Sequence, residues 1–135
     1  MEATFYMCTS LEEAPEIPEK VKIMRSTFNG CKSLIKPPSK IPESVVNCIA
    51  LFLGCENLEG NIEFNASITD DVSTTEDNSL IVGKKSYNEC FARAAINGNG
   101  LTISTSNPDL KENDFIILKN IINTKNWSSK INLKI

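Results

Sequence analysis

Histidine is absent from all 135 residues. That removes the commonest general base and the commonest metal ligand together. No Ser/His/Asp or Cys/His arrangement is possible without it. Charge of one sign is also lacking. Lys and Arg number 14 against 17 Asp and Glu, a net charge of −3. Nothing here has the basic footprint of a nucleic-acid binder. No apolar run approaches the roughly 18 residues of a membrane helix, so no membrane insertion is expected. The opening "MEATFYMCTS" has neither the basic region nor the long apolar stretch of a signal peptide. On that ground the chain is expected to be cytoplasmic or particle-associated, unless a leader has been removed. No G-x-x-x-x-G-K-[ST] or G-x-G-x-x-G occurs, and "NGNG" at 97–100 reads as a bend. Glu12 and Glu13 are adjacent and point apart in an extended segment, which suits paired acid–base work poorly.

Five cysteines are present, at 8, 31, 48, 55 and 90. No pair has the C-x-x-C spacing of a zinc knuckle or redox motif, and the number is odd. Free buried thiols, acting as small apolar groups, are expected rather than a disulfide framework.

The chain does contain a repeat. "TFYMC" at 4–8, "TFNGC" at 27–31 and "LFLGC" at 51–55 fall 23 and 24 residues apart. Phe5 matches Phe28 and Phe52, Cys8 matches Cys31 and Cys55, and Leu11 matches Leu34 and Leu58. Pro15 matches Pro38, and Ile17-Pro18 matches Ile41-Pro42 after a one-residue insertion. In a looser fourth copy, Tyr87 takes the Phe place, Cys90 the Cys place and Leu101 the Leu place. The repeats span about 3–26, 27–50, 51–64 and 87–104 of a single domain, 1–135.

Within one unit, Val21, Met24, Phe28 and Cys31 are spaced three, four and three apart. That spacing predicts a short helix with one apolar face, repeated by Val45, Cys48, Phe52 and Cys55. Gly30 and Gly54 fall near its end, where a left-handed exit is tolerated. A turn and a short extended, proline-limited segment follow. Each unit is thus expected to be a short helix and a short strand that bury their apolar faces by stacking. The recurring cysteine reads as a small buried spacer in that stack. The alternative, a metal site or reactive thiol, lacks a recurring ligand partner.

Residues 65–86 interrupt the rhythm with a polar stretch containing Asp70, Asp71, Glu76 and Asp77, then "SLIVGKK". A protruding loop or hairpin is expected. The carboxylates lack the D-x-D-x-D-G spacing of a calcium loop. Residues 105–135 read as a cap. Asn107 and Pro108 start a helix that runs to about Asn123 with Leu110, Phe115, Leu118, Ile121 and Ile122 on one face. A final strand follows with Ile131, Leu133 and Ile135 on one side, and Trp127 packs against the intervening turn.

"F-x-G-C-x-S-L" followed by "P-x-I-P-E-S-V", best seen in "TFNGCKSLIKPPSKIPESV", resembles the BspA-like leucine-rich repeats of bacterial surface proteins. The resemblance covers residues 3–64 closely and 87–104 loosely. It implies an α/β right-handed leucine-rich-repeat solenoid, with a short-strand parallel sheet on one face and short helices on the other. It implies a cell-surface or secreted location and a role in adhesion or partner binding without catalysis. Two departures stand out: few repeats, and a start inside a repeat with no cap before it. Solenoid ends need covering, so self-association through the N-terminal end is one expectation.

Three functional readings follow. The first is a non-catalytic binding module for a protein or glycan, with no cofactor and no metal. Its contacts are expected on the sheet face, at Glu16, Lys40, Glu63 and Thr102 by alternation, or in the loop at Asp70 and Asp71. The second is a structural subunit of a larger assembly, such as a phage-tail-like particle, with Phe5, Tyr6 and Met7 covered by a neighbour. The third is an enzyme using Cys90 or Cys31 as nucleophile, with Arg93 lowering the pKa of Cys90.

Overall fold

A computed structural model describes residues 1–66, 89–107 and 130–134. Four short strands form one parallel sheet in chain order: β1 (Lys40–Ile41), β2 (Gly60–Phe64), β3 (Leu101–Ser104) and β4 (Ile131–Leu133). Lys40 pairs with Glu63, Ile62 with Ile103, and Ile103 with Leu133. Isolated parallel bridges, Glu13 to Lys36 and Ile23 to Asn47, carry the same pairing into the earlier units. Successive units are therefore coils laid side by side. The first begins at Met1, whose ammonium donates to the Ile23 carbonyl at 3.1 Å. The second begins at Met24, whose N–H makes the equivalent bond to Asn47 at 2.8 Å. The third begins at Cys48, and the described part of the fourth at Glu89.

No helix occurs among the described residues, which overturns the expected α/β repeat with short helices on one face. The stretch from Met24 to Cys31 is a run of tight turns. Thr27, Asn29 and Cys31 donate to the carbonyls three residues back, those of Met24, Ser26 and Phe28. The alternate N–H groups point sideways instead. Ser26, Phe28 and Gly30 donate to Ile49, Leu51 and Leu53 of the next coil at 2.8, 3.0 and 2.8 Å. A helix would consume every one of these donors within its own segment. Left-handed residues break any helix at fixed places. Ala3, Ser26, Ala50 and Glu89 form one line, with φ between 52 and 55°. Met7, Gly30, Gly54 and Arg93 form a second, at 58, 78, 77 and 56°. For a non-glycine residue that conformation costs about 1–2 kcal/mol, offset here by the lateral hydrogen bonds. The three-four-three spacing arises because one turn of this ladder also advances about that many residues between inward side chains. Beyond Asn107 the expected helix to about Asn123 lies outside the described residues, as do Trp127 and all but the first two residues of the loop or hairpin expected at 65–86.

The core follows from the stacking. Phe5, Phe28, Phe52 and Phe91 stack ring on ring, with centroids 5.5, 5.6 and 5.5 Å apart and interplanar angles of 2, 5 and 21°. The fourth ring is thus Phe91, not Tyr87, which lies outside the described residues. Cys90 lies in the line of Thr27 and Leu51, since its carbonyl accepts from Phe52 as Leu51 accepts from Phe28. Ala94 therefore holds the place that Cys8, Cys31 and Cys55 hold in earlier coils. Leu101 is buried but pairs with Gly60, so it is out of line with Leu58. On the sheet, Ile41, Ile62, Phe64, Leu101 and Ile103 point inward and are buried. Among the described residues no helix is long and apolar enough to cross a membrane.

Candidate binding face

Strand alternation places Lys40, Asn61, Glu63, Thr102, Ser104 and Asn132 on the solvent side of the sheet. The register sorts them into two rows. Asn61, Thr102 and Asn132 lie side by side on β2, β3 and β4. Lys40, Glu63 and Ser104 lie side by side on β1, β2 and β3. Neighbours in a row are about 4.8 Å apart, the spacing between strands.

Of the residues expected here, Lys40 and Glu63 are direct neighbours. Thr102 falls in the other row, opposite Asn61. Glu16 is one coil earlier and is already engaged, accepting from the Ser39 N–H at 3.1 Å and from its hydroxyl. Lys40 is engaged as well, through Glu19 at 3.3 Å. Asp70 and Asp71 lie outside the described residues. Sequence reading missed Asn61, Ser104 and Asn132. The register across 65–86 and 108–129 cannot be counted from spacing, because β2 and β3 pair at an offset of 41 residues. Asn61, Glu63, Thr102, Ser104 and Asn132 make no side-chain hydrogen bond to any described residue. These five form a patch of amide, hydroxyl and carboxylate groups that no described side chain or backbone engages.

A recess of about 530 Å³ adjoins the patch, between the 98–100 bend and the start of β4. Asn99, Thr102, Lys130 and Asn132 are among its lining residues. Gly98 and Gly100 take φ of 86 and 101° there, which lets the bend fold close to the sheet edge. The Lys130 ammonium donates to the Gly98 carbonyl at 3.0 Å and fixes one wall.

The cysteines form an inward ladder. The Cys31 thiol donates to the Phe5 carbonyl and the Cys55 thiol to the Phe28 carbonyl, both at 3.0 Å. Burial pushes the Cys31 and Cys55 thiols up, and for Cys55 the neighbouring Cys31 adds to the rise. Burial likewise pushes Cys90 well up, reinforced by its hydrogen bond with Cys48. Arg93 does not offset this. Its guanidinium pairs with Glu56 at 3.2 Å. A protonated, fully covered thiol is a poor nucleophile. With folded protein, a maleimide or disulfide reagent is expected to label Cys8 alone, since Cys31, Cys48, Cys55 and Cys90 are buried. Labelling of all five is expected only after denaturation. Fast native labelling of Cys90 would contradict this arrangement. Among the described residues no group of three or more His, Cys, Asp or Glu converges on a metal position.

No protein-family model matches the chain, and neither the curated proteins nor the solved structures contain a match to it.

Proposed function

We propose that the protein is a non-catalytic binding module that recognises a protein or glycan partner through the solvent side of its sheet. The observation that carries this reading is the patch of five outward polar side chains with no side-chain hydrogen bond among the described residues, spread over three adjacent strands. Groups held by a rigid backbone at fixed spacing lose little freedom on meeting a ligand. Their mixture of donors and acceptors suits peptide groups or sugar hydroxyls. The resemblance to bacterial surface-protein repeats supports the same role and a surface or secreted location.

The test is a panel of immobilised polysaccharides and secreted proteins probed with the parent chain and a quadruple variant, Asn61→Ala, Glu63→Ala, Thr102→Ala and Asn132→Ala. Any ligand the parent holds is expected to be lost by at least about tenfold, given roughly 0.5–1.5 kcal/mol for each hydrogen bond. The melting temperature is expected to stay within a few degrees, because these side chains support no described residue. Undiminished binding by the variant would remove the sheet face from consideration.

A second reading, a subunit of a larger assembly, has its own support. Tyr6 is 55 % and Met7 50 % exposed on the first coil, an apolar surface that a neighbouring subunit would cover.

A further inference from the structure

The Asn-Gly step occurs three times in the chain, at Asn29-Gly30, Asn97-Gly98 and Asn99-Gly100. Asparagine is thermolabile, and most so before glycine, where no Cβ hinders approach of the following backbone nitrogen to the side-chain amide. The fold protects the three steps to different degrees. Gly30 is buried, and its N–H donates to the Leu53 carbonyl at 2.8 Å in the lateral ladder. Asn97 is held by backbone and side chain together. Its N–H donates to the Glu56 carbonyl at 2.8 Å, and its Nδ2 to Asn57 Oδ1 at 3.3 Å. Asn99 is held only by its backbone N–H, which donates to Glu59 Oε2 at 2.9 Å. Its exposed side-chain amide and the Gly100 N–H make no hydrogen bond to any described residue. Those two groups are the ones that react.

We infer that Asn99 is a site of spontaneous deamidation, and that its product remodels the recess beside the sheet. The Gly100 backbone nitrogen gives its proton to water or hydroxide, and its electron pair attacks Asn99 Cγ. The Cγ–Nδ2 bond breaks, and Nδ2 leaves as ammonia with a proton taken back from water. The resulting succinimide adds water at either carbonyl and opens to aspartate or isoaspartate. The sum is asparagine plus water giving the acid plus ammonia. Ring closure joins neighbouring residues, so proximity replaces an enzyme. The aspartate product sets a carboxylate beside Glu59, whose Oε2 already serves the Asn99 N–H. Isoaspartate carries the main chain through Cγ and lengthens it by one carbon just before Gly100. The Gly100 carbonyl accepts from Gly60 at 3.0 Å, and Leu101 donates to Lys130 at 2.9 Å. The extra carbon therefore enters where β2, β3 and β4 come into register. Asn99, Gly100 and Lys130 all line the recess. The chemistry does not depend on what the sheet face binds.

The test incubates folded protein, and protein in guanidinium chloride, in the same mildly alkaline buffer and follows both by peptide mapping. Each event adds about one dalton and one negative charge, so reacted chains separate on anion exchange. In the folded protein Asn99 is expected to react first, at least about tenfold ahead of Asn29, where attack by Gly30 awaits local opening of the ladder. In denaturant that lead is expected to vanish. Folded protein in which Asn29 keeps pace with Asn99, or in which Asn97 leads, overturns the assignment. So does a lead of the same size in denaturant, which would trace the order to sequence alone. In the separated isoaspartyl form, hydrogen exchange at the Gly60 and Leu101 amides is expected to be faster than in the parent. Unchanged exchange at both would overturn the remodelling.

Discussion

Phe52→Ala is expected to cost about 3–5 kcal/mol, the range for deleting a buried phenylalanine ring. Phe52 is fully buried and stacked on both sides, against Phe28 at 5.6 Å and Phe91 at 5.5 Å. Removing it opens a cavity in the middle of the ring column and breaks two aromatic contacts, each contributing about 0.5–1.5 kcal/mol beyond area burial. The neighbouring backbone cannot close the gap without giving up its lateral bonds. Phe52 donates to Cys90, and its own carbonyl holds the Cys55 N–H. A loss of this size is a fifth or more of the roughly 5–15 kcal/mol that holds an ordinary domain together. Urea unfolding followed by circular dichroism would measure it as a fall in midpoint. Phe5→Ala is the control. Its ring is half-buried and stacked on one side only, so its loss is expected to be clearly smaller. Equal costs at the two positions would mean that the column is not the unit of stability.

Asn65→Ala is expected to be nearly as damaging, by about 2–4 kcal/mol, for a different reason. Asn65 leaves the end of β2 fully buried, and its Oδ1 accepts from the Thr105 hydroxyl at 2.7 Å, the Ser106 N–H at 2.9 Å and the Asn107 N–H at 3.2 Å. Its Nδ2 donates in turn to the Ser106 hydroxyl at 3.2 Å. Alanine strips one acceptor from three donors at once, and each of these hydrogen bonds contributes about 0.5–1.5 kcal/mol. The Thr105 hydroxyl can rotate and Asn107 N–H retains Thr105 Oγ1 at 3.1 Å, whereas the N–H of the exposed Ser106 is left to water. Thr105→Val, which removes one hydroxyl, is expected to cost about 1 kcal/mol. Hydrogen exchange at the Ser106 amide separates this account from simple loss of packing. Its exchange should accelerate in Asn65→Ala beyond that of the β2 and β3 ladder amides. Uniform acceleration would point to global destabilisation instead.

These two residues differ in how far they are visible in sequence. Phe52 announces itself, because Phe5, Phe28 and Phe52 recur at nearly equal intervals with a cysteine three residues on. The repeated leucines and the proline-limited strands are legible for the same reason. The nature of the turn side is not. Its inward side chains recur at the interval of a helix, and only the destination of each N–H distinguishes a helix from a ladder of turns. Periodicity reports which side chains face inward and is silent about hydrogen bonding. Asn65 gives no signal, because its partners lie 40 to 42 positions away and a polar residue beside an insertion looks like loop. Phe91 was displaced by Tyr87 because an aromatic followed three residues later by Cys90 copies the earlier spacing, while the actual line ends in Ala94. On the binding face, Lys40, Glu63 and Thr102 were accessible by alternation alone. The rows that give them neighbours required the register across an insertion.

Phe5 and Phe28 are 23 positions apart and Phe52 and Phe91 are 39 apart, yet each pair sits at 5.5 Å. Contact between coils is lateral, so it is indifferent to how much chain is traversed on the way round. The entropy of closing a longer excursion grows only with the logarithm of its length. A lineage carrying this architecture can therefore lengthen the segments between coils with little change to the frame, and acquire new surface there while the column of rings keeps its step.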